Sequence, residues 1–225
     1  MLFLKYNIMR KYIKEDVYLA RLYLTALPEF LSDVTIKGFF ACNNNRLTSL
    51  ENCPTNIIGE FICSFNKQLK SLEHGPTYVD TDYDCSSCAL ESLLGAPTRA
   101  EGLFDCSSNQ LKTLAHAPSF VGGGFHCNDN GLKSLKNGPV VVDGSYICAY
   151  NKLSNFIGAP DRIGGEFNCE GNKITSLDGI PKLIMGDFSC NFDDEFKITE
   201  DDVRRRSEVE GRVKLYRRAN LDLDL

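Results

Sequence analysis

The stretch Gly123-Gly124-Phe125-His126-Cys127-Asn128-Asp129-Asn130-Gly131-Leu132-Lys133-Ser134-Leu135, closed by Pro139 and Val142, decides the fold, because its neighbours repeat it. Cysteine recurs as Cys42, Cys63, Cys85, Cys106, Cys127, Cys148, Cys169 and Cys190, in steps of 21 residues broken once by a step of 22. A ring stands two residues before each: Phe40, Phe61, Tyr83, Phe104, Phe125, Tyr146, Phe167 and Phe188. Proline precedes all but the first cysteine by nine residues, from Pro54 to Pro181. Repeats of this length describe a solenoid, in which one coil cannot bury its apolar side alone and must stack on the next.

The pattern inside a coil gives its shape. Val142, Gly144, Tyr146 and Cys148 alternate with Asp143, Ser145 and Ile147, so residues of one parity point inward along a short strand. Asparagine follows at 45, 66, 109, 130, 151 and 172, where an amide can satisfy backbone groups of its own coil and of the coil beside it. Two inward leucine columns come next, exemplified by Leu132 and Leu135. Proline then excludes a long helix on the return side, which is read as extended or 3₁₀. One glycine per coil, as at Gly123 and Gly144, marks a bend or a close passage between chains.

The ends are read differently. Residues 1–15, with Leu2, Phe3, Leu4, Ile8, Met9 and Ile13 among polar neighbours, form an amphipathic helical cap. Residues 16–36 form a degenerate capping repeat in which Val17, Leu19, Leu24 and Leu27 keep the offsets of Phe40, Cys42, Leu47 and Leu50. The regular array runs over 37–193. Thr199-Glu200-Asp201-Asp202 signals a helix start, and residues 194–225 are read as a helical cap over 197–219 with a tail.

The run aromatic-x-Cys-x-x-Asn-x-Leu-x-Ser-Leu resembles the leucine-rich repeat, and its 21-residue form is similar to repeat proteins encoded by large tailed bacteriophages. The resemblance covers about residues 17–193. It implies a mostly β, right-handed solenoid with one parallel sheet on a concave face, an extended or 3₁₀ convex side, and use as a binding surface for other proteins. Three departures stand out: an inserted residue near Lys67-Gln68, Thr81 in place of glycine, and Cys88 in place of asparagine.

Ten cysteines raise the question of disulfides. Parallel Cβ atoms on stacked strands lie about 4.8 Å apart, too far and too parallel for a bridge, so the column is read as a ladder of reduced thiols. That fits a reducing compartment. The opening Met1-Leu2-Phe3-Leu4 precedes Lys5, Arg10 and Lys11, the reverse of a secretory signal, and no apolar run has the roughly eighteen residues of a membrane helix. The chain is read as cytoplasmic, in the host cytoplasm if the phage resemblance holds.

Residues that could carry chemistry are few. Cys85-Ser86-Ser87-Cys88 has redox or zinc spacing, but Cys85 belongs to the ladder and Cys88 takes an asparagine slot. His74 and His116 precede proline at a turn, and no glycine-rich phosphate loop occurs. The expectation is no catalytic residue, no metal and no cofactor. Arg204-Arg205-Arg206 and Arg217-Arg218 are interleaved with acids, and a net charge of −5 argues against a nucleic-acid partner.

Charge placement carries the functional reading. The concave columns lie three and one residues before each cysteine, and one and two after it. They hold Glu60, Asp82, Asp84, Asp105, Asp129, Glu166, Glu170 and Asp187, with no lysine or arginine over eight coils. Ile62, Phe65, Ile147, Tyr150 and Phe192 stand among them, and His126 lies on the outward parity of its strand. Like charges on adjacent strands cost stability, and exposed rings among them mark an interface. The expectation is a protein-binding face for a partner's basic patch. The other reading is an assembly protein that self-associates through its caps or edge coils.

Overall fold

The computed structural model describes residues 11–192 and 196–217, which form about ten stacked turns of a parallel β-solenoid with almost no helix. One side is a ten-stranded parallel sheet running from Val17–Tyr18 through Phe40–Ala41, Phe61–Ile62, Tyr83–Asp84, Phe104–Asp105, Phe125–His126, Tyr146–Ile147, Phe167–Ile174 and Phe188–Phe192 to Val213–Arg217. Ring pairs with ring in register along it.

The single-sheet expectation is corrected by a second set of strands. Lys11–Ile13, Val34–Ile36, Asn56–Ile57 and Tyr78–Val79 form one parallel sheet. Arg99–Ala100, Phe120–Val121, Val141–Val142, Arg162–Ile163, Leu183–Ile184 and Glu208–Val209 form another. The run 142–148 is therefore two strands in two sheets. Inward parity survives because Val142 and Tyr146 both face the core from either side of the bend.

That bend is why glycine recurs. A Cβ on Gly144 would stand 2.6 Å from the carbonyl carbon of Gly123 and 2.8 Å from the nitrogen of Gly124, where nothing can give way. The bare backbones hydrogen-bond coil to coil: Gly102 N to Thr81 O at 3.1 Å, Gly123 N to Gly102 O at 3.0 Å, and Gly144 N to Gly123 O at 2.9 Å. At the exception, Thr81 N reaches Gly59 O at 3.3 Å. The second side also breaks there, Tyr78–Val79 ending one sheet and Arg99–Ala100 beginning the next.

Rings, thiols and leucines fill the interior. The eight rings form a column with neighbouring centroids 4.8 to 6.0 Å apart, some stacked and others edge-on or tilted, and the ten cysteines are free and buried. Each asparagine ties two coils together. Asn151 Nδ2 donates to Cys148 O in its own coil (3.1 Å) and to Cys127 O in the previous one (3.0 Å), while its Oδ1 accepts from Leu132 N (3.0 Å). Cys88 replaces this amide without an orphan. Its thiol donates to Cys63 O at 3.4 Å, and Leu69 N, the donor an Oδ1 would have served, reaches Asn66 O at 3.0 Å. That last bond closes around the inserted residue, so the insertion and the missing asparagine compensate one another.

Tyrosine replaces phenylalanine in the ring column only where the residue before proline is glycine: Gly75 with Tyr83 and Gly138 with Tyr146. A Cβ at either glycine would meet the tyrosine hydroxyl at 3.1 Å. Both hydroxyls are buried without a hydrogen-bond partner. Burying an unpaired hydroxyl costs about 1–3 kcal/mol, so Tyr83→Phe should stabilise the protein by about 1 kcal/mol. Gly75→Ala should also do less damage in the Tyr83→Phe background than alone, as a urea double-mutant cycle would show. A loss of stability in Tyr83→Phe would mean that the hydroxyl has a partner.

The ends depart from the sequence reading. Residues 1–10, most of the expected first cap, lie outside the described residues, as do 193–195 and the tail 218–225. Lys11–Ile13, read as the end of a helix, is a strand paired with Val34–Ile36. At the other end the helix is one turn, Glu200–Arg204, with Thr199 and Asp202 in a capping box. The chain then resumes the solenoid instead of covering it. Glu208–Val209 and Val213–Arg217 add a further coil, Val213 taking the ring position and Leu215 the cysteine position.

Candidate protein-binding face

The ten-stranded sheet brings the predicted residues onto one outer surface. The column between ring and cysteine reads Ala41, Ile62, Asp84, Asp105, His126, Ile147, Asn168 and Ser189 in strict register, ending on Lys214, with Ala41 and Ser189 buried. Glu60, Asp82, Glu166, Glu170 and Phe192 are half-buried beside it, and Asp129 is exposed.

Several of these acids serve the fold. Asp82 Oδ1 accepts from Leu103 N of the next coil (2.7 Å), and Asp187 Oδ1 accepts from Arg212 N (2.8 Å). Asp84 and Asp105 accept from Ser86 N (2.9 Å) and Ser107 N (2.8 Å) two residues on, as Asn168 does from Glu170 N (3.1 Å). These carboxylates satisfy strand-end amides as well as colouring the surface. Glu60, Asp129, Glu166 and Glu170 accept no backbone hydrogen bond among the described residues.

The field they make is visible in their neighbours. Burial, with Asp82 and Asp84 close by, pushes the Glu60 carboxyl above the usual range. Burial acts the same way on Asp105, but His126, with Nδ1 3.9 Å from Asp105 Oδ2, and Ser107 outweigh it, and the net shift is downward. The stripe is closed at one end by a coil the sequence reading missed. Lys214 (2.7 Å) and Arg212 (3.1 Å) pair with Asp187 and hold its carboxyl well below the usual range. The inserted helix delays the ring position to Val213, 25 residues after Phe188, which hides the repeat from a 21-residue frame.

Two rings stand out of this surface. Phe65 and Tyr150, 48% and 61% exposed, occupy the position two residues after the cysteine. The backbone there is left-handed, with φ of 57° and 53°. The same column holds Asn44, Ser87, Ser108, Asp129 and Gly171, also at positive φ. Left-handed backbone costs a residue with a Cβ about 1–2 kcal/mol, least for asparagine and aspartate and nothing for glycine. Sequence parity gave no sign of this strain.

The remaining candidates fall away from chemistry. Burial pushes the Cys85 thiol well up and the Cys88 thiol up to about 11, the opposite of a reactive cysteine. His74 and His116 sit two residues before proline at φ of 66° and 69°, in a second left-handed column that also contains Asn137, Gly158 and Gly179. Among the described residues no cluster of histidine, cysteine and carboxylate could hold a metal ion, and no helix is long and apolar enough to cross a membrane. Comparison of the chain with protein-family models, with curated proteins and with solved structures finds no match.

Proposed function

We propose that the protein is a non-enzymatic binding module of the leucine-rich-repeat kind, akin to those of large tailed bacteriophages and acting in the host cytoplasm. It takes a partner's basic patch against the acidic outer face of the long sheet, which serves as the concave face. Inhibition of a host enzyme or defence protein is one use of such a face. The observation that carries the reading is the placement of Phe65 and Tyr150. They project large apolar groups into water from a backbone conformation that asparagine or glycine would adopt at lower cost. An exposed ring over an acidic surface supplies the apolar anchor, and the carboxylates supply orientation and encounter rate.

The test separates binding from stability. Phe65→Asn and Tyr150→Asn should each raise stability, by about 0.5–1 kcal/mol in urea unfolding. Both should weaken capture of a lysine-rich protein, and the wild-type complex should dissociate as salt rises. Variants that gain stability and still capture the partner with wild-type strength would remove the basis of this reading.

A further inference from the structure

Around the corner from the acidic face runs a column of cations. Residues four after the cysteine include Arg46, Lys67, Lys152 and Lys173, and Lys112 and Lys133 stand six after theirs. A backbone ladder holds this edge at a fixed pitch: Arg46 N to Leu24 O (2.8 Å), Gln110 N to Leu90 O (2.9 Å), Gly131 N to Leu111 O (2.8 Å), Lys152 N to Leu132 O (2.8 Å) and Lys173 N to Leu153 O (2.9 Å). Lys112, Lys133 and Lys152 surround a shallow depression at Gly131. They and Lys173 are exposed and form no ion pair with another described residue.

Acid stripe and lysine stripe thus lie side by side on coils spaced about 4.8 Å apart, and the coils of Cys63, Cys106, Cys127 and Cys169 carry both charges. An extended acidic peptide repeats its same-side carboxylates at about 6.7 Å, and a nucleic-acid strand has a spacing of its own, so both drift out of phase within a few coils. A second solenoid stays in phase throughout. A two-fold axis parallel to the stacking direction sets the acid stripe of one copy against the lysine stripe of the other at the four coils that carry both, and repeats the contact on the other side of the axis. Lys112 then shares a coil level with Asp105 of the second copy, Lys133 with Asp129, and Lys173 with Glu166 and Glu170.

From this complementarity we infer that the protein forms a closed homodimer through its own acidic face and lysine edge. The inference rests on the reading of that face as a docking surface and names its occupant.

The experiment is sedimentation equilibrium of the full chain and of two charge-reversed variants, each checked by circular dichroism. One carries Lys112→Glu, Lys133→Glu and Lys173→Glu; the other carries Asp129→Lys, Glu166→Lys and Glu170→Lys. The wild type should have twice the chain's mass at about 0.05 M salt and the mass of one chain at about 1 M, where the Debye length is about 3 Å. Each variant alone should be a monomer at low salt, and an equimolar mixture should regain the doubled mass. A monomeric wild type overturns the inference, as does a dimer that both reversals leave intact, since it would form through the end coils. Loss of transfer-RNA binding by the lysine-reversed chain, with the wild type monomeric, would assign the edge to a polyanion and overturn it as well. A lysine-rich peptide that binds the lysine-reversed variant shows that the docking reading stands even where dimerisation fails.

Discussion

Raising the pH from 8 to about 10 is expected to unfold this protein in one cooperative step. Nine thiols, those of Cys42, Cys53, Cys63, Cys85, Cys88, Cys106, Cys127, Cys148 and Cys169, are pushed above the ordinary thiol value of 9.0, in each case chiefly by burial. In the unfolded chain they ionise near that ordinary value. Above it the folded state holds more protons than the unfolded state, so stability falls as pH rises. The contribution is fully present below about pH 9, and each thiol then loses about 1.4 kcal/mol per pH unit until its folded value is reached. Nine acting together remove on the order of 10 kcal/mol by about pH 10, as much as an ordinary domain possesses. Far-UV circular dichroism against pH, with a return to pH 8 to show reversibility, measures the midpoint. Survival of the β signal well past that pH would falsify the buried ladder. Cys106→Ala, which removes one ionising group, should make the transition less steep.

Asn151→Ala should cost about 2–3 kcal/mol in urea unfolding. The change strands Leu132 N in the interior, and it takes one of two amide donors from Cys127 O and Cys148 O, which keep those of Asn130 and Asn172. Each orphaned buried group costs roughly 1–3 kcal/mol. Asn151→Cys should recover little. A thiol can donate to one carbonyl, as Cys88 does to Cys63 O, but Leu132 N would still lack an acceptor. At Leu69 the acceptor is Asn66 O, brought within reach by the inserted residue, and coil 151 has no insertion. A cost near 1 kcal/mol for Asn151→Ala would mean that water replaces the amide, and that coil-to-coil stacking does not depend on it.

Much of the architecture was legible because translation along a solenoid copies one environment many times. A residue type that recurs at a fixed step reports a recurring physical need. The ring, thiol, leucine and asparagine columns were assigned in this way, down to the amide serving two coils. The departures were legible as departures, but their meaning was not. That the insertion before Leu69 offsets the loss of asparagine at Cys88 depends on which carbonyl lies within reach of Leu69 N. The pairing of Gly75 with Tyr83 and of Gly138 with Tyr146 was present in the sequence, yet nothing in one dimension brings residues eight apart into contact.

The candidate face divides along the same line. The columns three and one before the cysteine followed from parity, because side chains alternate about a strand whatever its neighbours are, whereas Phe65, Asp129 and Tyr150 share the cysteine's parity and stand at a left-handed turn after it. The division of labour among the acids did not. Asp82 and Asp187 hold amides of the next coil, Asp84 and Asp105 hold amides two residues on, and Glu60, Asp129, Glu166 and Glu170 are left to the surface. The left-handed strain under Phe65 and Tyr150 was equally hidden.

By itself the sequence determined that coils of equal size stack, which columns face inward, and that the thiols stay reduced, since these follow from period and residue type. Tertiary structure alone decided that each coil carries two strands in different sheets, because the bend at the glycine column is set by how closely adjacent backbones can approach. It alone also decided that the chain resumes the solenoid after Arg204, because Val213 and Leu215 can fill the ring and thiol positions once a helical turn has brought them into register.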